Sequence, residues 1–139
     1  MYKIGVSSSC FELTEENFKL INKANISAIE ISSSPVVQAE IDYKKLKQTA
    51  DNYNIELWSC HLPFYPFEAF DISATDVSSR KKTVEHLGQL IKKAASVGVN
   101  KFVLPPSGEP ICDTEREAHL YSAKESLNSL AELASSCGG

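Results

Sequence analysis

The sequence lacks most features that mark membrane, secreted or nucleic-acid-binding proteins. It has no run of about 18 apolar residues and no N-terminal apolar segment of signal-peptide length, so a soluble cytoplasmic protein without membrane contact is expected. The longest basic run is "RKK" and the net charge is -4, which argues against a nucleic-acid partner. The four cysteines form no CxxC pair, which argues against a zinc knuckle and a disulfide scaffold.

The length and composition indicate one folding unit. A chain of 139 residues that is 42% hydrophobic can bury a real core but is too short for two ordinary domains, so residues 1–139 are expected to form a single domain. Within it the pattern switches four times from a short apolar run to a longer helical stretch. The apolar runs are 2–9, 26–34, 55–64 and 99–105, and the helical stretches are 14–25, 43–54, 77–98 and 114–136.

Helix-end signals accompany three of the helical stretches. Thr14 is placed to cap the first helix, with two glutamates in its first turn. Gly98 stands where a C-cap glycine belongs, and Thr114 and Glu117 have capping-box spacing at the start of the last helix. The periodicity of that last helix predicts one apolar face, made of Leu120, Ala123, Leu127, Leu130, Ala131 and Ala134.

This alternation of strands and helices predicts an α/β protein with a parallel sheet and helical crossovers. Two architectures fit. A flavodoxin-like sheet of about five strands suits the length, whereas a (β/α)₈ barrel needs about 250 residues, so the chain would be half of one. Length alone favours the open sheet. The final "ELASSCGG" is typical of a helix end followed by glycines where a fifth strand would begin, as if the chain were cut at a unit boundary.

Ligands bind at the carboxyl ends of the strands in both architectures, which points to the residues just past each apolar run. Glu30 lies between two isoleucines, so it points either to water or into a polar barrel mouth, where it could transfer a proton or orient a sugar hydroxyl. His61 ends the third run, either as a hydrogen-bonded structural group or as a ligand-facing residue. His86 and His119 fall in the middle of helices and are expected to be exposed.

Two loops carry the remaining candidates for substrate contact. The first, "HLPFYPFEAFDISATD", contains four aromatic rings, among them Phe64 and Tyr65. These rings either pack over the sheet rim or form a wall on which the apolar face of a sugar stacks. The second, "PPSGEP", is either a plain turn or a place where Gly108 opens backbone amides to an anion. Ser107 and Glu109 are its candidate substrate contacts.

The order of these parts along the chain is similar to that of a known protein family. A strand ending in His, Pro and an aromatic residue is followed by an Asp- and Ser-rich loop and then by "SSRKKTVEHLGQLIKKAASVGVNKFVL". This order resembles the xylose isomerase-like TIM barrel family, which includes sugar and sugar-phosphate isomerases and epimerases and endonuclease IV-type relatives. The resemblance covers the whole chain and implies parallel (β/α) units forming the first half, about four strands, of a TIM barrel.

The resemblance also implies roles for single residues. His61 corresponds to the family histidine that ends the third strand and faces the site, and Glu30 to the acidic residue of the second strand. Pro105 stands where relatives often have a histidine. The family's principal metal ligands and acid/base glutamates stand on strands five to eight. Glu30 and His61 are therefore the only catalytic candidates, and no metal site is expected in this half, with His61 the only candidate ligand.

The leading hypothesis is the N-terminal half of a sugar or sugar-phosphate isomerase/epimerase-like barrel. The complete protein would shift a proton next to the sugar carbonyl with two carboxylates and a divalent metal (Mn, Mg, Co or Zn), and this half would be inactive alone. The alternatives are an apurinic endonuclease-like metal-dependent hydrolase and a non-catalytic half-barrel binding module. Because a half barrel leaves two open strand edges, self-association as a twofold homodimer is also expected.

Overall fold

The computed structural model describes residues 4–106 and 111–138. The strands are β1 (Gly5–Ser7), β2 (Ala28–Ile31), β3 (Glu56–His61) and β4 (Phe102–Val103). The helices are α1 (Glu15–Lys23), α2 (Pro35–Glu40), α3 (Tyr43–Asn52), α4 (Phe67–Phe70), α5 (Val77–Ala95) and α6 (Arg116–Ser136). The four predicted strand–helix pairs are confirmed, with shorter strands, and the short α2 and α4 are additional. No helix in these described ranges is long and apolar enough to cross a membrane.

The four strands form one parallel sheet in the order β1-β2-β3-β4. A flavodoxin-like sheet has the order 2-1-3-4-5, with the second strand outside the first, whereas neighbouring barrel strands follow the chain. The observed order therefore decides between the two architectures that the length leaves open. The chain folds as the first half of a (β/α) barrel.

One face of the sheet is covered by helices. Ile29 and Ile31 of β2 are fully buried on this face, and Leu57 and Cys60 of β3 lie in the same core. The helices contribute the apolar side chains that pack against them, chiefly Phe18, Leu46, Ala50, Leu87, Ile91 and Leu130. Burial of this apolar surface is the main favourable contribution to folding.

The predicted helix ends of α1 and α5 are confirmed. Thr14 caps α1, because its Oγ1 accepts a hydrogen bond from the Asn17 N–H. Asp76 caps α5 in the same way at 2.8 Å from the Ser79 nitrogen, and this bond lowers the pKa of Asp76 because it favours the carboxylate. Gly98 follows α5 with a φ of +93°, a conformation that only glycine adopts without strain.

The capping box predicted at the start of α6 is wrong. A 3₁₀ turn occupies Asp113–Glu115, and α6 begins at Arg116 without a side-chain cap. The Thr114 hydroxyl lies 3.1 Å from Cys112 Sγ instead of bonding to a helix N–H. The 3₁₀ turn moves the N-cap position from Thr114 to Glu115, which capping-box spacing alone does not reveal.

The apolar face predicted for α6 is only partly right. Leu120 is 64% exposed, and the buried face consists of Ser122, Ala123, Ser126 and Leu130. The serines are buried because they satisfy polar groups of the segment packed beneath the helix. Ser126 Oγ donates to the carbonyl oxygen of Ile72 at 2.8 Å, and Ser122 Oγ accepts from Arg80 Nη1 at 3.2 Å.

Candidate functional site

The sheet face opposite the helices carries polar residues at the carboxyl ends of the strands. Glu30 of β2 pairs with Ser7 of β1 and Ser59 of β3, and the next pair is Ile31 with Cys60. Because paired residues project to the same side of a parallel sheet and successive residues alternate, the buried Ile31 and Cys60 mark the helix face. Glu30, Ser7 and Ser59 therefore project from the opposite face, which we call the open face.

A β-bulge at Trp58 places His61 on the open face. After Leu57 the pairing between β2 and β3 shifts by one residue, so Trp58 is an extra residue in β3. Leu57 and Cys60 consequently both reach the helix-side core, although strict alternation would place residues three apart on opposite faces. His61 follows Cys60 and points the other way, whereas without the bulge it would share the face of Leu57.

A concave space of about 430 Å³ lies on the open face beside Glu30. Gly5, which lines this space, also packs closely against β2: a Cβ at Gly5 would lie only 3.3 Å from the carbonyl oxygen of Ala28. Glu30, Trp58 and Ser59 also line this space. Ser59 Oγ donates to Glu30 Oε2 at 3.3 Å, which orients the carboxylate. The structure thus brings the predicted acidic residue to a cavity large enough for a small polar ligand.

Sequence reasoning missed Trp58 and Ser59 as site residues. Both lie within the apolar third run, and alternation places them on opposite faces, whereas the bulge puts both at the cavity. Lys101 Nζ lies 3.7 Å from the centre of the Trp58 ring, a cation–π contact that fixes the indole and covers one of its faces. The cavity wall therefore contains one ordered ring and one hydroxyl that the sequence did not indicate.

His61 is half-buried at the end of β3 and does not itself line that cavity. Its Nδ1 lies 3.0 Å from the carbonyl oxygen of Leu62. A carbonyl oxygen only accepts, so Nδ1 carries a hydrogen in this arrangement, and in the neutral ring Nε2 keeps its lone pair. His61 therefore presents a hydrogen-bond acceptor next to the cavity.

The loop after β3 forms a row of rings that begins at His61. The ring centres of His61 and Phe64 are 5.3 Å apart, and Phe67 lies 6.0 Å from both Phe64 and Tyr65. Phe64 is 38% exposed and Tyr65 66% exposed, so both side chains are accessible from solvent, and their contact with a substrate stays a prediction. Phe70 departs from the row and packs against α5.

The candidate contacts after β4 remain predictions. Ser107, Gly108 and Glu109 lie outside the described residues. β4 ends at Val103, and Leu104 and Pro105 follow it in the described part. No histidine therefore stands at this strand end.

The described residues do not fit a metal centre. Across 4–106 and 111–138, no group of three or more His, Cys, Asp or Glu side chains is placed to hold an ion. Among these residues Glu30 and His61 therefore have no third ligand of these types close enough to complete a site. The divalent metal expected for a complete barrel therefore lacks a ligand set in this part of the chain.

Two polar side chains extend the sheet beyond the strand ends. Ser8 Oγ accepts from the Ser32 N–H and donates to the Ser32 carbonyl oxygen, both at 2.8 Å, just past the ends of β1 and β2. Gln38 Nε2 donates to the carbonyl oxygen of His61 at 2.8 Å, just past the end of β2. Sequence reasoning missed Gln38, because its side chain comes from a connecting helix rather than from a strand.

A serine, a histidine and an aspartate also meet between α4 and α6, but in the wrong order for catalysis. Ser73 Oγ donates to Asp71 Oδ1 at 2.6 Å and therefore accepts from His119 Nδ1 at 3.1 Å. In a catalytic triad the histidine takes the serine proton and the aspartate holds the histidine. Ser73 is also fully buried, so the cluster anchors the loop to α6. The prediction that His119 is exposed is wrong, because this contact half-buries it, whereas His86 is exposed as predicted.

Cys60 lies behind the site as a protonated thiol. Burial, reinforced by repulsion from the Glu30 carboxylate, raises the pKa of Cys60 to about 12, and a hydrogen bond with Tyr43 opposes the shift only in part. Because this folded value is above the ordinary 9.0, the thiol contributes stability that is fully present below pH 9 and lost as the pH rises towards 12.

The cysteines should consequently differ in reactivity, because the thiolate is the reactive form. A hydrogen bond from Thr114 lowers the pKa of the exposed Cys112, so we expect it to react with iodoacetamide faster than the exposed Cys10 at pH 8. Cys60 should remain unlabelled until the chain is unfolded in urea. Peptide mass spectrometry at timed intervals measures this order, and early labelling of Cys60 in the folded chain would contradict its burial.

The strand order, the helix layer and the site at the carboxyl ends of the strands define a parallel half barrel of the TIM type. The model of the xylose isomerase-like TIM barrel family matches residues 18–138. The chain belongs to this family, which confirms the resemblance seen in the sequence. No curated protein matches the chain.

Solved structures of sugar epimerases are similar over 99% of this chain. A D-tagatose 3-epimerase-like protein has a TM-score of 0.81 at 24% identity, with 50% of its own length covered. D-psicose 3-epimerase from Clostridium cellulolyticum H10 has a TM-score of 0.77 at 19% identity, also with 50% covered. For 3-keto-D-glucoside 4-epimerase from E. coli the values are 0.73, 18% and 54%. The chain spans about half the length of these structures, and the likeness shows a shared fold.

Proposed function

We propose that this chain supplies the substrate-binding wall of a sugar isomerase- or epimerase-like barrel. The observation that carries the proposal is the arrangement of Glu30, Ser59 and His61 on one open face, at the carboxyl ends of adjacent strands. Ligands of barrel enzymes bind at this end of the sheet. The family and the epimerases of similar fold support a small sugar or sugar phosphate as the ligand.

The chemistry of these groups suits the recognition of a polyol. The Glu30 carboxylate accepts a hydrogen bond from Ser59 and has further lone pairs for a sugar hydroxyl. Nε2 of His61 accepts from a second hydroxyl, and the exposed ring of Phe64 offers a surface for the apolar face of the sugar. We assign binding and orientation to this half. Proton transfer, and any metal, would need groups outside the described residues, so the chain alone should be catalytically silent.

Binding of D-tagatose to the intact 139-residue chain tests the proposal. We expect saturable binding in saturation-transfer NMR, and we expect His61→Asn to weaken it about tenfold, the effect of losing one hydrogen bond to a ligand. His86→Asn is the matched control, because His86 is exposed on α5, and it should bind like the unchanged chain. Absence of saturable binding would contradict the proposal, and binding of an abasic-site DNA duplex instead would favour the hydrolase alternative.

We also propose that two copies associate with their open faces towards each other. In the described part of the chain β1 and β4 each pair on one side only, which leaves two unpaired strand edges. Val103 is 44% exposed on the open face beside them. The epimerases of similar fold are about twice as long as this chain, and a second copy would supply the same number of strands again.

Sedimentation equilibrium at micromolar concentration tests the association. We expect a dimer with isologous contacts, which approximates a closed eight-stranded barrel and keeps the carboxyl ends of the strands at its mouth. A chain that stays monomeric across this concentration range would rule out the dimer. The sugar-binding proposal does not depend on this result, because its residues all lie in one copy.

A further inference from the structure

The carbonyl group of His61 has no main-chain hydrogen-bond donor from β2. Cys60 N–H bonds to the Lys101 oxygen and Leu62 N–H to the Val103 oxygen, both towards β4. In a parallel sheet the residue between them directs its backbone groups to the other neighbour, which is β2. β2 ends at Ile31, the partner of Cys60, so no residue of β2 stands opposite His61.

Gln38 of α2 supplies the missing donor. Its Nε2 lies 2.8 Å from the His61 carbonyl oxygen and 3.7 Å from Cys60 Sγ. The side chain is fully buried, and within the described residues its Oε1 has no hydrogen-bond partner. Burying an amide with half of its polar capacity unused is unfavourable, and leucine or methionine would fill the same volume without that cost. Packing alone therefore does not explain a glutamine here.

The contact fixes a single peptide group at both ends. The peptide joining His61 to Leu62 has its carbonyl held by Gln38 and its N–H held by the carbonyl oxygen of Val103. The next carbonyl, that of Leu62, accepts from Nδ1 of the His61 ring. The Leu62 carbonyl belongs to the following peptide, so holding the His61–Leu62 peptide restrains the position of this acceptor through Leu62, and with it the choice of the ring nitrogen that carries the hydrogen.

We propose that Gln38 is a positioning residue for His61: it holds the His61–Leu62 peptide in the orientation that keeps the ring in the Nδ1–H tautomer, with Nε2 free to accept. This inference deepens the proposed function and rests on it only for what Nε2 binds. Gln38 itself contacts the main chain of His61 and lies next to Cys60, on the helix side of the sheet.

The ring tautomer is measured directly by long-range ¹H–¹⁵N correlation spectra of the histidine rings, without sugar and with the ring neutral. We expect the Nδ1–H form of His61 to dominate in the unchanged chain. Gln38→Met keeps the side-chain length but removes the donor, and it should shift the tautomer ratio roughly threefold to tenfold towards Nε2–H. Gln89→Met, on the exposed side of α5, is the matched control and should leave the ratio unchanged.

A folded Gln38→Met chain with an unchanged tautomer ratio would overturn the inference. If that variant fails to fold, the unchanged chain provides a second test of the inference. This test is the NMR scalar coupling between Gln38 Nε2 and the His61 carbonyl carbon across their hydrogen bond. We expect this coupling to be detectable, and its absence, or a dominant Nε2–H ring, would also overturn the inference. Because no sugar is present, failure here and failure of D-tagatose binding are separate results.

Discussion

Ile31→Asp should unfold the chain. Ile31 is fully buried on the helix face of the sheet, so the variant places a carboxylate in the apolar core without a partner. The cost of an unpaired buried charge and the lost apolar contacts together exceed about 5 kcal/mol, which approaches the whole stability of a typical domain. Far-ultraviolet circular dichroism and a urea titration at neutral pH measure the loss of helix and of cooperative unfolding.

Val103→Asp is the matched exchange on the other face. Val103 pairs with His61 and is 44% exposed, so an aspartate there remains hydrated and the chain should stay folded. We expect its free energy of unfolding to change by less than about 1 kcal/mol, and we expect the dimer to weaken because two carboxylates would meet across the open faces. Equal loss of structure in both variants would contradict the assignment of the two faces.

Phe18→Ala has the second largest expected effect. Phe18 lies on α1, is fully buried, and belongs to the core between the helices and the sheet. Truncation removes the transfer free energy of the ring and leaves a cavity that the fixed strands cannot fill, so we expect a loss of about 3–5 kcal/mol. The midpoint of urea unfolding should fall while the slope remains that of a cooperative transition.

The same helix provides the control for this change. Leu20 is 55% exposed on the outer side of α1, so Leu20→Ala should change the free energy of unfolding by no more than about 0.5 kcal/mol. If both variants lost the same stability, α1 would not be docked on the sheet by the face that contains Phe18. Measuring the two side by side therefore tests the docking of α1 rather than its helix propensity alone.

The elements of the fold could be predicted because their signals are local. Apolar alternation and helical periodicity mark all four strand–helix pairs, and Thr14 and Gly98 mark helix ends that the structure reproduces. The strand order is not local, and length alone favoured the wrong architecture. The resemblance to a barrel family supplied what the residue pattern could not.

The buried face of α6 shows where periodicity fails. Leu120 fits the apolar stripe but is exposed, while Ser122 and Ser126 are buried. Their burial depends on Arg80 and on the carbonyl group of Ile72, both more than 40 residues away in the sequence. A sequence pattern treats serine as a polar residue, because the partner that allows its hydroxyl to be buried cannot be seen in the sequence.

The site shows the same limit more sharply. Glu30 and His61 could be proposed from their positions at strand ends, but strict alternation from the buried Leu57 would turn His61 towards the helices. The bulge at Trp58 reverses this, and it is a property of the pairing between β2 and β3 rather than of either strand. The contact of Gln38 could not be predicted for a similar reason. The His61 carbonyl group takes a donor from α2 because β2 ends one residue too early to supply one.

The proposed site depends on that bulge, because without it Ser59 and His61 would not share a face with Glu30. Inter-strand nuclear Overhauser effects between backbone protons of β2 and β3 report the pairing directly. The structure predicts cross-peaks that link Glu30 to Ser59 and Ile31 to Cys60. Cross-peaks that link Glu30 to Trp58 and Ile31 to Ser59 instead would show an unbulged strand, turn His61 towards the helices and contradict the proposed site.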